Sequence, residues 1–151
     1  MRDVPENRSA SLSREVTDLD VAARFGDAFP PAAATPFVLG LAEVACHQSV
    51  SDYLEAQETT VGIEATIRHL APSPVGAVLT AHARLVKVDR RTLSFTVTVM
   101  DGDIECAQVE HTRAAVLTDR INQRLDQRRA DLAAPRASAD APTDPDGIPA
   151  P

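Results

Sequence analysis

The pattern of apolar and polar positions changes its period after about residue 55. Between residues 36 and 54, apolar side chains recur every three or four positions along one stripe, interrupted by a single acid, Glu43. Thr35 suits the N-cap and Pro36 the first position of a helix. The pattern predicts a helix from Pro36 to about Leu54. Its first half is apolar on nearly all sides, which indicates that other elements cover it.

Beyond this helix the period becomes two, as in β-strands. In "TTVGIEATIRHL", one face carries Val61, Ile63, Ala65, Ile67 and His69. Further strands are predicted at 77–88, 92–100 and 104–117, separated by "DRR" and the turn signal "DGD", with an earlier strand around Ser9–Val16. A short helix follows from Thr118. One long helix among several consecutive strands predicts an α+β fold, with an antiparallel sheet wrapped around a central helix.

Composition limits the domain count and the classes of partner. The 151 residues are enough for one domain, predicted as 1–134, and the Pro/Ala/Asp-rich segment 135–151 is predicted to be disordered. A net charge of −7 with 3% aromatic residues argues against nucleic-acid binding. No apolar run approaches the roughly 18 residues of a membrane span, which predicts a cytoplasmic protein without membrane contact. Cys46 and Cys106 lack metal-ligand spacing, so no metal is expected.

Three residues bring reactive groups toward one layer of the predicted fold. Glu43 lies on the helix stripe, His69 ends the apolar face of the next strand, and Thr35 begins the helix. A hydroxyl, a carboxylate and an imidazole around one cavity suit nucleophilic or general-base hydrolysis. The residues alone leave structural readings open, in which Thr35 is only a cap, Glu43 a backbone-bonded acid and His69 a core histidine.

Two stretches resemble a known family. "ATPFVLGLAEVAC" and "YLEAQETTVGIEATIRHLAPSPVG" are similar to the fluoroacetyl-CoA thioesterase family of hot-dog fold proteins, over about residues 29–117. The resemblance implies the hot-dog fold, a homodimer with active sites at the subunit boundary, and catalytic roles for Thr35, Glu43 and His69. It also implies an oxyanion site near Gly62.

The resemblance further implies the substrate. We expect an acyl-CoA thioesterase for small or short-chain acyl groups, acting on an acyl-CoA or acyl-carrier thioester without a cofactor. Phe29 would belong to an aromatic lid over the acyl pocket, and Arg113 is a candidate contact for CoA phosphates.

Two alternatives remain open. A hot-dog enoyl-thioester hydratase or dehydratase would use Glu43 and His69 for water addition. A non-catalytic module would bind an acyl thioester without turning it over. Thiol release from a panel of acyl-CoAs separates hydrolysis from both.

Overall fold

The computed structural model describes residues 1–134, and the tail predicted to be disordered lies outside that range. Five antiparallel strands form one sheet in the order β1-β3-β4-β5-β2. The predicted α+β class, with a long helix on an antiparallel sheet, is confirmed. The elements are β1 (Ser9–Glu15), α1 (Thr35–Val50), β2 (Glu58–His69), β3 (Val78–Asp89), β4 (Thr92–Asp101), β5 (Ile104–Leu117) and α2 (Thr118–Ala133).

Residues 1–118 form one compact unit, and the helix α2 belongs to a second unit. This helix has 16 residues and begins at Thr118, as predicted, and Asp119 lies in its first turn. A carboxylate there is favoured by the positive end of the helix dipole. Within residues 1–134, no helix combines the length and the apolar character that a membrane-spanning helix requires.

The helix α1 packs one side against the sheet and leaves Glu43 at the margin of that side. Its buried residues are Val38, Leu41, Ala42, Ala45, Cys46, Ser49 and Val50. The predicted stripe was therefore shifted, and the Glu43 side chain is 41% exposed. The helix ends at Val50 rather than Leu54, because the Val50 backbone leaves the helical region (φ −123°, ψ −2°) and a 3-10 turn follows at Ser51–Tyr53.

A β-bulge in β2 changes which residues face the helix. Gly62 pairs with Arg113 and Glu64 with Thr112, so Ile63 is the extra residue. Directly paired residues point to the same side of an antiparallel sheet. The predicted face therefore holds for Ala65 through His69, but it is wrong before the bulge, where Thr60 and Gly62 face the helix.

Candidate active site

The first set of candidate site residues is a hydroxyl–imidazole pair, Thr35 and His69, here called the helix-start pair. Thr35 Oγ1 lies 3.0 Å from His69 Nδ1. The predicted N-cap role of Thr35 is wrong, because Ala34 occupies the cap position and Thr35 is already helical. Its hydroxyl is therefore turned toward the end of β2 instead of toward an amide of its own helix.

The second ring nitrogen of His69 is an unusual atom. His69 Nε2 is buried and has no hydrogen-bond partner within residues 1–134. Buried polar atoms without a partner are rare in native proteins, and a catalytic role is one of the explanations for them. Within residues 1–134 the ring is therefore hydrogen-bonded at Nδ1 alone, and no contact there fixes Nε2.

Two small cavities meet at Thr35, and both are mainly apolar. One, of about 280 Å³, extends toward His69 and is lined by Pro30, Ala32, Ala33 and Leu70–Pro72 in addition to the helix-start pair. The other, of about 250 Å³, is lined by Phe25, Phe29, Ala34 and Pro36. Thr35 and Ala22 belong to both. The structure thus brings the predicted Phe29 and Thr35 together, and Phe29 is 54% exposed.

The second set of candidate site residues, here called the carboxylate cluster, consists of Glu43, Thr60, Gly62, His111 and Arg113. Glu43 Oε1 lies 3.3 Å from His111 Nε2 and 3.9 Å from Arg113 Nη1. A Cβ atom at Gly62 would lie 2.5 Å from the same oxygen. Only glycine therefore allows the strand to approach the carboxylate this closely.

Arg113 is the most extensively bonded member of the cluster and is only 7% exposed. It donates from Nε to Thr60 Oγ1 and from Nη2 to the Thr60 carbonyl, both at 2.8 Å, and from Nη1 to His111 Nε2 at 3.0 Å. Burial lowers the pKa of Arg113, and the nearby Glu43 carboxylate opposes that shift. The buried guanidinium thus faces a carboxylate that is 41% exposed.

Neither His111 nor His47 was singled out from the sequence. His111 is 3% exposed. His47 is half-buried, with Nδ1 2.8 Å from Thr60 Oγ1, and burial lowers its pKa. The sequence did contain a signal, the stretch "HTR" at 111–113. Alternate residues of a strand face the same side, so this stretch places two polar side chains, His111 and Arg113, on one face of β5.

Other reactive groups near the helix are less suited to chemistry. Burial raises the pKa of the Cys46 thiol to about 12, so a nucleophilic thiolate is strongly disfavoured at neutral pH. Among the described residues, no group of three or more His, Cys, Asp or Glu side chains has the arrangement of a metal site.

The three predicted catalytic residues do not converge within one chain. Thr35 and Glu43 are eight residues apart on α1, which corresponds to roughly 12 Å of helix. Gly62 and His69 are seven residues apart on β2, roughly 23 Å of strand. Glu43 lines its own cavity of about 200 Å³ with Val44, His47, Thr59, Thr60 and Arg113, and neither residue of the helix-start pair borders it.

A long helix packed on a five-stranded antiparallel sheet is the arrangement of the hot-dog fold, and comparisons with known proteins place the chain among the thioester hydrolases of that fold. The model of the fluoroacetyl-CoA-specific thioesterase family matches residues 16–119, and the chain belongs to this family. The predicted enzyme class is therefore confirmed.

Individual relatives support this assignment. A fluoroacetyl-CoA thioesterase from Streptantibioticus cattleyicolor is 35% identical over 100 residues, covering 66% of this chain and 72% of the relative. The solved fluoroacetyl-CoA thioesterase FlK is 27% identical with a TM-score of 0.77, over 83% of this chain and 97% of FlK. A thioesterase superfamily member from Thermus thermophilus, at 24% identity and a TM-score of 0.77 over 87% and 99% of the two chains, shows the same fold.

Proposed function

We propose that this protein hydrolyses short-chain acyl-CoA thioesters at a site formed by Thr35, Glu43 and His69. The observation that carries the proposal is the 3.0 Å contact between the Thr35 hydroxyl and His69 Nδ1 at the meeting point of two small apolar cavities. Cavities of this size suit a small acyl group. The substrate is an acyl-CoA or an acyl-carrier thioester, the reaction needs no cofactor, and the enzyme works in the cytoplasm.

We propose further that the site is completed by a homodimer. The strand β2 has 12 residues and lies at the edge of the sheet, with Ile63 59% exposed. An unpaired edge of this length favours pairing with another strand. If two copies of β2 pair antiparallel about a two-fold axis, the His69 end of one strand lies beside the Gly62 end of the strand of the partner subunit. The helix-start pair then meets the carboxylate cluster of the partner subunit.

In this composite site each group has a distinct role. His69 Nδ1 accepts the Thr35 proton when the hydroxyl attacks the thioester carbon, and the imidazolium then protonates the departing thiolate. Glu43 either activates the water that hydrolyses the acyl-enzyme, or it attacks the thioester carbon itself in place of Thr35. A backbone N–H near Gly62 is the candidate donor to the developing oxyanion.

A thiol-release assay tests the reaction directly. Acetyl-, fluoroacetyl-, butyryl- and octanoyl-CoA are compared, with Thr35→Val as the control that retains shape but removes the hydroxyl. We expect the fastest release from the two-carbon and four-carbon substrates and a large loss in the control. Hydrated product from an enoyl-CoA would support a hydratase instead, and tight binding without thiol release would support a binding module.

The dimer has a separate test. Ile63→Lys places a charge on the β2 edge, whereas Ile104→Lys places one at an equally exposed position at the start of β5, also 59% exposed. We expect Ile63→Lys to be monomeric by light scattering and inactive, and Ile104→Lys to resemble the wild type. An Ile63→Lys monomer with full activity would refute the composite site.

A further inference from the structure

We propose that His111 is a positioning residue, which as the neutral Nδ1–H tautomer links the β2 bulge to Arg113 and so holds the Glu43 carboxylate over Gly62. The inference deepens the proposed function and rests on it. It starts from the two ring nitrogens of His111, because each has a partner of known hydrogen-bonding character.

The partners determine the tautomer. His111 Nδ1 lies 2.8 Å from the Glu64 carbonyl oxygen, which only accepts, so Nδ1 carries the proton. His111 Nε2 lies 3.0 Å from Arg113 Nη1, and a guanidinium only donates, so Nε2 presents its lone pair. A neutral imidazole satisfies both contacts at once, whereas an imidazolium loses the bond from Arg113.

This tautomer explains how Glu43 is oriented. The Glu43 oxygen is only 3.3 Å from Nε2, but no proton lies on that nitrogen, so the carboxylate has no hydrogen bond there. The cation that attracts it is Arg113, 3.9 Å away. His111 therefore acts on Glu43 indirectly, by accepting from Arg113 Nη1, the guanidinium nitrogen that faces the Glu43 carboxylate.

The surroundings of His111 keep it neutral. Burial lowers its pKa, and Arg113 lowers it further, while the Glu64 carbonyl and the Glu43 carboxylate act in the opposite direction. Of the elements packed here, α1 contributes Glu43, His47 and the neutral thiol of Cys46, β5 contributes Arg113, and β2 contributes the Glu64 carbonyl. Protonation would transfer the Nε2 contact from Arg113 to Glu43 and change the charge arrangement of the site.

The contact with Glu64 has a second consequence, for the backbone. Glu64 is the first paired residue after the bulge, and the bulge turns both Gly62 and His69 toward the helix. A side chain of β5 that bonds to the Glu64 carbonyl thereby fixes the local register of β2. His111 thus stabilises the bulge through one nitrogen and the charge arrangement through the other.

Two substitutions separate these contacts. In His111→Gln the amide oxygen reaches about the position of Nε2 and accepts from Arg113, but the donor to Glu64 is lost. In His111→Asn the amide nitrogen takes about the position of Nδ1 and donates to Glu64, but Arg113 loses its acceptor. We expect His111→Gln to melt lower and keep kcat within about fivefold, and His111→Asn to melt near the wild type and lose kcat by about tenfold or more, with KM little changed.

A measurement on the wild-type protein makes the test independent of activity. Long-range ¹⁵N–¹H correlation spectra report which nitrogen of each histidine carries the proton. We expect His111 to be protonated at Nδ1 alone at pH 7. A spectrum with the proton on Nε2, or a His111→Asn variant with wild-type kcat, would overturn the proposal. Absence of thioesterase activity in the wild type would refute the proposed function but leave the spectroscopic result standing.

Discussion

The two polar groups on the inner side of the sheet are bonded very differently. In the helix-start pair, His69 has a single hydrogen bond and a buried Nε2 without a partner in the described chain. In the carboxylate cluster, Arg113 donates three hydrogen bonds and His111 uses both ring nitrogens. One group is sparsely bonded and borders apolar cavities, and the other is a connected network.

This difference matches the two chemical tasks of the proposed mechanism. A general base must gain and lose a proton, so its ring is most effective when the protein does not fix both nitrogens. A charge that stabilises or activates must stay in place, because preorganised groups cost little reorganisation when the reaction occurs. We therefore expect substitutions in the pair to affect proton transfer, and substitutions in the cluster to affect charge placement.

Removing the charge of Glu43 has the largest expected effect. Glu43→Gln retains the shape and should lower kcat/KM by about 10²-fold or more, the scale of a lost acid–base group. The melting temperature should hold or rise, because Arg113 keeps its bonds to Thr60 and His111. Thioester hydrolysis and a melting curve, measured on the same preparation, check both. Hydrolysis at the wild-type rate would end the catalytic assignment of Glu43.

Removing the imidazole of the pair should have a comparable effect. His69→Ala is expected to lower kcat/KM by about 10²-fold, since Thr35 loses its base. The double variant Glu43→Gln/His69→Ala should lose little more than either single one, because residues that act in one site are non-additive. The kinetics of all three variants decide this point. Losses that multiply fully would show that the pair and the cluster serve separate sites.

The sequence predicted most of the helices and strands but not the details of the pairing between the strands. The bounds of the strands follow from alternation and turn residues, and the structure differs by one or two residues at most of their ends. The bulge at Ile63 was not predicted, because a period-two pattern has no signal for one inserted residue apart from the adjacent Gly62. That single residue reversed the faces assigned to the first half of β2.

The composition of the site was likewise only partly predictable. Thr35, Glu43 and His69 stood out because each is polar at an element start or on an apolar face. His111 did not, because its importance depends on the register between β2 and β5, which places it beside Ala65 and near the Glu64 carbonyl. The contact between the Thr35 hydroxyl and the His69 imidazole depends on how the helix packs against β2, which local sequence does not reveal. The cap role assigned to Thr35 from its local sequence was therefore wrong.

A methyl group at position 62 should have a moderate effect that is specific to the cluster. In Gly62→Ala the new Cβ would lie 2.5 Å from Glu43 Oε1 and 3.0 Å from His111 Cε1, so the carboxylate must move. We expect kcat to fall by about tenfold, in keeping with the sensitivity of catalysis to small misplacement. The proposed dimer should persist in Gly62→Ala, as measured by light scattering.

The matched control for this substitution lies on the helix. A Cβ at Gly40 would have no atom within 4 Å, and alanine is favoured over glycine in a helix by about 1 kcal/mol. Gly40→Ala should therefore raise the melting temperature and leave kcat unchanged. If Gly62→Ala also keeps its kcat, the close approach of β2 to Glu43 has no part in turnover.

Substitution of a carboxylate outside both groups, that of Glu58, should have the smallest effect on turnover. It should clearly change how the melting temperature depends on pH in acid. Glu58 accepts from the Met1 ammonium group, from the Glu55 backbone N–H and from Arg91, and these contacts lower its pKa from 4.5 to about 2. Because the folded-state pKa is depressed, the stabilisation is present above about pH 4.5 and is lost as the pH falls toward about 2. Glu58→Gln should therefore melt below the wild type at pH 7, and the difference should shrink in acid, while kcat/KM stays within about twofold because Glu58 belongs to neither of the two groups. Melting curves from pH 7 to pH 3 and one kinetic measurement check this. A large loss of activity in Glu58→Gln would mean that a structural ion pair, as well as the carboxylate cluster, controls the site.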